Sequence, residues 1–428
     1  MNKFSTWPLA LLLMLTQTAA ASESQQILTL AEAEQIALRE SPRLAASEAQ
    51  ARALAEVPPQ VGALPDPQLT LGAMNLPVDS FSTSRENMTQ MQVGLSQAIP
   101  FPGKLGLREQ AARFEAEAAT FNSEETGLVL VRNVRTGWWN LFYLDRALNI
   151  IQRNQVLLRQ LTRIAETKYK VGKGLQQDVL LAQVELSKLL DVEISLRGAR
   201  KGQEAKLNAL LNRPAQTPIS LPAEVSESLP EVASEAELHT RALAARPLLA
   251  SRDQQIRAAE THVGLAEKDY LPDFRLGAAY GFRSGTNPVN QTNRPDLASM
   301  QLSLNLPIFS GSKQDRALAQ RRAELLRSEY SQQDARDMVL AEVSQALSDY
   351  SKSRQRVSLF KAGIIPQASQ TVASMLAGYQ VNKVDFLNLV RAQVTLYNFE
   401  TQYWQAFASA NQSLAQLEAS IGKEIIHE

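Results

Sequence analysis

The sequence predicts a mainly α-helical chain with a small β part, built as a two-fold internal repeat whose longest helices pair antiparallel or as a coiled coil. Three observations lead there. Motifs of the first half return in the same order in the second, and four short segments alternate apolar and polar residues. Two helical patterns also run for about 65 residues, each near 100 Å at about 1.5 Å per residue.

The repeat shows in five ordered echoes. Thr29-Leu30-Ala31-Glu32 and Ser234-Glu235-Ala236-Glu237 both read S/T-x-x-E, a capping box that opens a helix. Ala37-Leu38 with Pro42 and Leu44 is echoed by Ala242-Leu243 with Pro247 and Leu249. Pro67 with Leu71-Gly72-Ala73 returns as Pro272 with Leu276-Gly277-Ala278, an offset of 205 (67 to 272). Met91-Gln92 with Leu95 and Lys104 returns as Met300-Gln301 with Leu304 and Lys313. Tyr169, Val171 and Lys173, followed by Ala182-Gln183-Val184, return as Tyr379, Val381 and Lys383, followed by Ala392-Gln393-Val394, by which point the offset is 210 (169 to 379). Composition alone does not order five echoes. Pro214, Pro218, Pro222 and Pro230 mark an extended connector. The chain therefore divides into a leader (1–21), a first repeat (22–212), a linker (213–232) and a second repeat (233–428).

Each repeat reads helix, strand, loop, strand, very long helix, turn, helix. The first helix is expected over residues 30–57, ending before Pro58-Pro59, and its counterpart over 235–270, ending before Pro272. Strands are expected over 68–75, 91–99, 274–282 and 299–306, where apolar and polar residues alternate, with Gln97 the exception in the second. The loops between them (76–87 and 283–295) are rich in Asn, Ser, Thr, Gly and Pro. After Pro100-Phe101-Pro102-Gly103 a helix is expected unbroken to about residue 169, and after Pro307-Ile308-Phe309-Ser310-Gly311 another to about 379. Val156, Leu157, Leu161 and Ile164 give the former an apolar seam. Gly172 and Gly174 break it, and a second helix returns over 175–211.

Composition removes several function classes. Acidic and basic residues balance at 44 each, so no net field draws nucleic acid or an anionic membrane. The absence of cysteine excludes disulfides, thiolate metal sites, a cysteine nucleophile and a lipidated N-terminal cysteine. His239, His262 and His427 are scattered, so neither a metal site nor a cofactor is expected. The chain carries no phosphate-binding glycine loop, no H-E-x-x-H and no Gly-x-Ser-x-Gly elbow, and it reads as a non-enzyme. Trp138-Trp139 read as packing or wall residues. Lys3, the apolar run 7–15 and Ala19-Ala20-Ala21 read as an export leader cut after Ala21.

Strands of this length cross a bilayer when tilted, whereas the long helices are too charged to do so. Four strands cannot close by themselves, and unpaired backbone in lipid costs several kcal/mol per group. Either the strands join those of sister chains in a lipid bilayer, or the chain is a soluble periplasmic coiled-coil scaffold with two small hairpins.

The repeat, its element order and its turns resemble the TolC-like outer-membrane efflux protein family over essentially the whole mature chain. The matching residues are Tyr169-Lys170-Val171-Gly172 with Gln177-Asp178-Val179, and Gly378-Tyr379-Gln380-Val381 with Thr395-Leu396-Tyr397-Asn398. The resemblance implies a homotrimer with a 12-stranded barrel in the outer membrane of a Gram-negative bacterium and a helical tunnel across the periplasm. It implies docking to a periplasmic adaptor and an inner-membrane pump, of RND type in the heavy-metal (Czc- and Cus-like) branch that the corner at residues 97–104 most resembles. Channels for multidrug or small-molecule efflux, or for type I protein secretion, would share this sequence pattern.

The resemblance also assigns residues. Asp178 falls on the gate carboxylate, and Tyr379 on the tyrosine that hydrogen-bonds it when closed. A cap at the start of the returning helix is the alternative role for Asp178. Asn388 and Arg391 stand where the best-known member has a ring of aspartates, and Asp385 is the nearest carboxylate. Val384 replaces the arginine of the closed-state network, with Lys383 beside it. Tyr169 and Val171-Gly172 form the adaptor-contact turn, whose second copy reads Val381-Asn382-Lys383. Lys168, Lys170, Lys173 and Lys383 read as a solvated face. At the strand-to-helix corners Pro100, Pro102 and Pro307 fix the bend, and Gly103 and Gly311 are expected to take the backbone angles other residues avoid.

Overall fold

The computed structural model describes residues 27–422, so the expected leader and His427 lie outside the described residues. Helix α1 (Leu30–Glu40) opens on the capping box, with Thr29 and Glu32 satisfying each other's backbone N–H groups. The chain bends at Ser41, and α2 (Pro42–Ala55) and the short α3 (Val57–Gly62) follow. Pro58-Pro59, expected to end a helix, instead begin one. A first helical turn needs no N–H from those positions, and a proline's φ already suits it. The same bend splits the second-half counterpart into α6 (Glu235–Ala245) and α7 (Pro247–Lys268), with Pro247 starting α7.

The strands are β1 (Gln68–Met74), β2 (Gln90–Ile99), β3 (Phe274–Phe282) and β4 (Leu297–Leu304). They form one antiparallel sheet in the order β1-β2-β3-β4, so the β2–β3 pairing joins the two repeats and β1 and β4 are its edges. Its register puts Leu71, Val93, Tyr280 and Ala298 in one row across all four strands.

From the sheet runs α4 (Lys104–Lys170), 67 residues long, returned by α5 (Gln176–Leu210). The second repeat runs through α8 (Gln314–Leu359), a π turn (Phe360–Ile364) and α9 (Ile365–Gln380), returned by α10 (Phe386–Ile421). The expected unbroken helix is thus interrupted just before Pro366. Proline's ring and missing N–H disrupt the regular ladder, and one wider turn absorbs the fault without ending the rod.

Helix α4 is the spine, packed against α2, α3 and α7 near the sheet and against α5 and α10 beyond it. Because it is flanked on two sides, burial follows Ile151, Leu158, Leu161 and Ala165, while Val156, expected in the seam, is exposed. The largest core lies midway along the rod. Trp138 stacks on Phe142 and donates from Nε1 to the Leu28 carbonyl at 3.0 Å, and Trp139 meets Phe407 edge to face. The proline-rich connector is fastened here by Ile219, which is buried, and by Asn208, which donates to the Thr217 carbonyl at 2.7 Å.

Candidate functional site

The sheet has two unlike faces, and both follow from the period of two. Register rows Leu69–Leu95, Leu71–Val93–Tyr280 and Leu276–Leu302 place the apolar residues of all four strands on one side. That side is open to solvent, with Leu71 71% and Met300 89% exposed. An apolar surface continuous over four strands is unfavourable in water at roughly 25 cal/mol per Å², so it marks contact with lipid or another apolar surface. Aromatic residues flank it, Tyr280 against Phe282 toward the loops and Phe101 against Phe274 toward the helices. The other side carries Thr70, Gln92, Ser96, Arg275, Ser299 and Gln301 around a shallow recess. Among the described residues no helix is long and apolar enough to cross a membrane.

At the first corner Gly103 takes φ +91°, the left-handed region the bend needs, and caps α4. Lys104 is 3% exposed, yet charged and paired, 2.9 Å from Asp273 and 3.1 Å from Asp269. Asp273 also accepts the Phe101 N–H at 2.8 Å. The second corner differs from expectation, because Gly311 is not among the positive-φ residues. There the bend is spread over residues 307–313, with Lys313 and Asp315 donating to the Phe309 and Ser310 carbonyls, and no left-handed residue is required.

At the far end the two hairpins make the same turn. Helix α4 ends with Lys173 N–H on the Lys168 carbonyl and Gly172 N–H on that of Tyr169, Gly172 at φ +70°. Helix α9 ends with Lys383 on Gly378 and Asn382 on Tyr379, Asn382 at φ +61°. Val381-Asn382 thus reproduces Val171-Gly172, since asparagine tolerates the left-handed region better than most residues. The volumes are complementary too. A Cβ on Gly174 would lie 2.9 Å from that of Lys168, and one on Gly378 2.5 Å from Val384 Cγ2, so the glycine sits on opposite sides of the same contact. Tyr169, Val171, Val381, Asn382 and Lys383 are exposed on these turns.

Leu158, Leu161, Ala182, Tyr379, Phe386 and Leu389 bind the hairpins together. The Lys168 ammonium crosses between them, donating to the Tyr379 carbonyl at 2.5 Å and to Asn382 Oδ1 at 2.6 Å while lying 4.2 Å from the Tyr379 ring. Read from sequence as part of a solvated face, Lys168 is instead half-buried and ties the tips. Asp178, in the first turn of α5, has its carboxyl pushed above the ordinary range by burial and then by the nearby charge of Asp385, while a backbone hydrogen bond from Leu175 opposes both. Burial and the charge of Asp178 raise Tyr379 in turn. The tip therefore brings Asp178, Tyr379 and Asp385 together. Among the described residues the buried Tyr379 hydroxyl makes no hydrogen bond, so the bond to Asp178 that the resemblance implies is not formed within one chain. Asn388 and Arg391 lie exposed farther along α10. Among the described residues no acidic or histidine cluster could hold a metal ion.

Two residues escaped the sequence reading. Lys104 appeared only as an echo of Lys313, and Lys168 was one lysine of four. The repeat held a signal for the second: its copy has Gly378 where the first has Lys168.

The outer membrane efflux protein family matches residues 33–213 and 238–423. The cobalt-zinc-cadmium resistance protein CzcC of Cupriavidus metallidurans is 22% identical over 368 residues, covering 85% of this chain and 82% of its own. The outer membrane protein TolC of Escherichia coli is 24% identical over 352 residues, covering 78% and 69%. In fold, the crystal structure of CusC matches with a TM-score of 0.78 at 17% identity over 92% of each chain.

Proposed function

The chain belongs to the outer membrane efflux protein family, and on that premise we propose that it is the outer-membrane conduit of a three-part pump exporting heavy-metal cations. The observation that carries the channel reading is the two-faced sheet with both edges unpaired. Such a sheet is stable in lipid only when sister chains complete it, and three copies of four strands give a barrel of 12 with the polar face inward. The long charged helices then stand in the periplasm as a tube of about 100 Å. Its exposed turns, with Tyr169, Val171-Gly172 and Val381-Asn382-Lys383, would meet a periplasmic adaptor and through it an inner-membrane pump of RND type. Asp178, Tyr379, Asp385, Asn388 and Arg391 would line the constriction, and Lys168 would hold it shut. A conduit must release what enters, so no tight cation site is needed along the path.

Similarity to a cobalt-zinc-cadmium resistance protein supports metal cations as cargo. Deleting the gene and scanning growth on zinc, cobalt, cadmium, copper and silver beside common antibiotics tests this. Loss of metal tolerance, restored by the intact gene, is the expected result. Unchanged metal tolerance with new antibiotic sensitivity would contradict it in favour of small-molecule efflux, and loss of a secreted protein in favour of type I secretion.

A further inference from the structure

Within one chain the two repeats are clasped where strand becomes helix. Gly103-Lys104, leaving β2, sends its ammonium to Asp273 at 2.9 Å, with Asp269 at 3.1 Å and the Leu271 carbonyl at 3.4 Å. Leu271-Pro272-Asp273, entering β3, supplies the nearer carboxylate. Each half of this clasp exists a second time. Leu64-Pro65-Asp66 enters β1, and Gly311-Ser312-Lys313 leaves β4. These halves cannot meet in one chain, because β1 and β4 are opposite edges of the sheet. Asp66 and Lys313 are both exposed, and among the described residues neither side chain makes a hydrogen bond or salt bridge.

We propose that Lys313 of one copy pairs with Asp66 of the next, clasping the seam between copies as Lys104 and Asp273 clasp the seam between repeats. The inference rests on the oligomeric channel reading above. The strand geometry supports it. β1 and β3 run the same way, so a β4 edge pairing antiparallel with the next copy's β1 sets the end of β4 beside the start of β1. That is the relation that brings the end of β2, and Lys104, to the start of β3. The charges are complementary and stand at the two edges that have to meet. The strands they enter repeat at an offset of 205 (67 to 272), which sets Asp66 two residues farther from its strand than the exact counterpart of Asp273 and puts Leu64 where Asp269 stands, so the seam between copies has one carboxylate to the inner seam's two.

The detergent-purified protein, treated with a zero-length carbodiimide that joins only amines and carboxylates already in contact, tests the pairing. Mass spectrometry should find Lys313 joined to Asp66 in bands of two and three chain masses and absent from the monomer band. Lys313→Glu should lower the temperature at which the oligomer dissociates in SDS, and adding Asp66→Lys should restore it. An oligomer that yields other crosslinks but not this one, and that withstands Lys313→Glu unchanged, overturns the pairing while leaving the channel reading intact. A protein that stays monomeric in detergent overturns both.

Discussion

Lys168 is the residue on which the tip most depends. It ends α4 yet spans to the other hairpin, binding a carbonyl, an asparagine oxygen and a ring face at once. Hydrogen bonds from a charged donor contribute about 1.5–3 kcal/mol each, and half-exposure places these at the low end. Lys168→Met should therefore loosen the hairpins and raise the closed-state conductance of single channels in a planar bilayer. Tyr379→Phe keeps the ring over Lys168 and against Phe386, and removes only a buried hydroxyl with no partner among the described residues. It should leave conductance unchanged. If Tyr379→Phe opens the channel and Lys168→Met does not, the hydroxyl and Asp178 hold the gate, and Lys168 is only a packing residue.

At the scale of elements, the sheet can be tested by two adjacent substitutions. Met300 and Gln301 point to opposite faces. Arginine on a lipid face costs about 2–4 kcal/mol near the bilayer middle, whereas a lumen position tolerates it. Met300→Arg should cut the yield of folded oligomer in outer-membrane fractions severalfold, and Gln301→Arg should not. Equal yields would mean that the apolar face does not touch lipid. These strands were legible because alternation is a local signal, and β3 falls on the expected residues 274–282. The repeat was legible because its echoes kept order and spacing. What sequence could not show was decided by neighbours or by geometry of the backbone. Pro58 stands equally well at a helix's end or start, Pro366 can break a rod or be absorbed by a π turn, and Gly311 turned out to sit in a bend wide enough to need no special angle. Lys168 differs from Lys170 and Lys173 only in facing the other hairpin, which no local pattern encodes.

For the whole molecule, the fold leaves its own completion unmet. One chain supplies a wall with an apolar side, a polar side and two raw edges, and a rod far longer than the sheet is wide. Within the chain the repeats meet through β2 on β3, α4 on α7 and α4 on α10, while β1 and β4 keep bare edges and α5 a bare face, where Leu180, Val184 and Ile194 are exposed. Sister copies would cover these surfaces and enclose a pore in the same step. The most direct test is to purify the protein from outer membranes in detergent, determine its mass, and add it to a planar bilayer. A particle of three chains that produces stepwise ion currents is the predicted result. A water-soluble monomer that leaves the bilayer silent would contradict it.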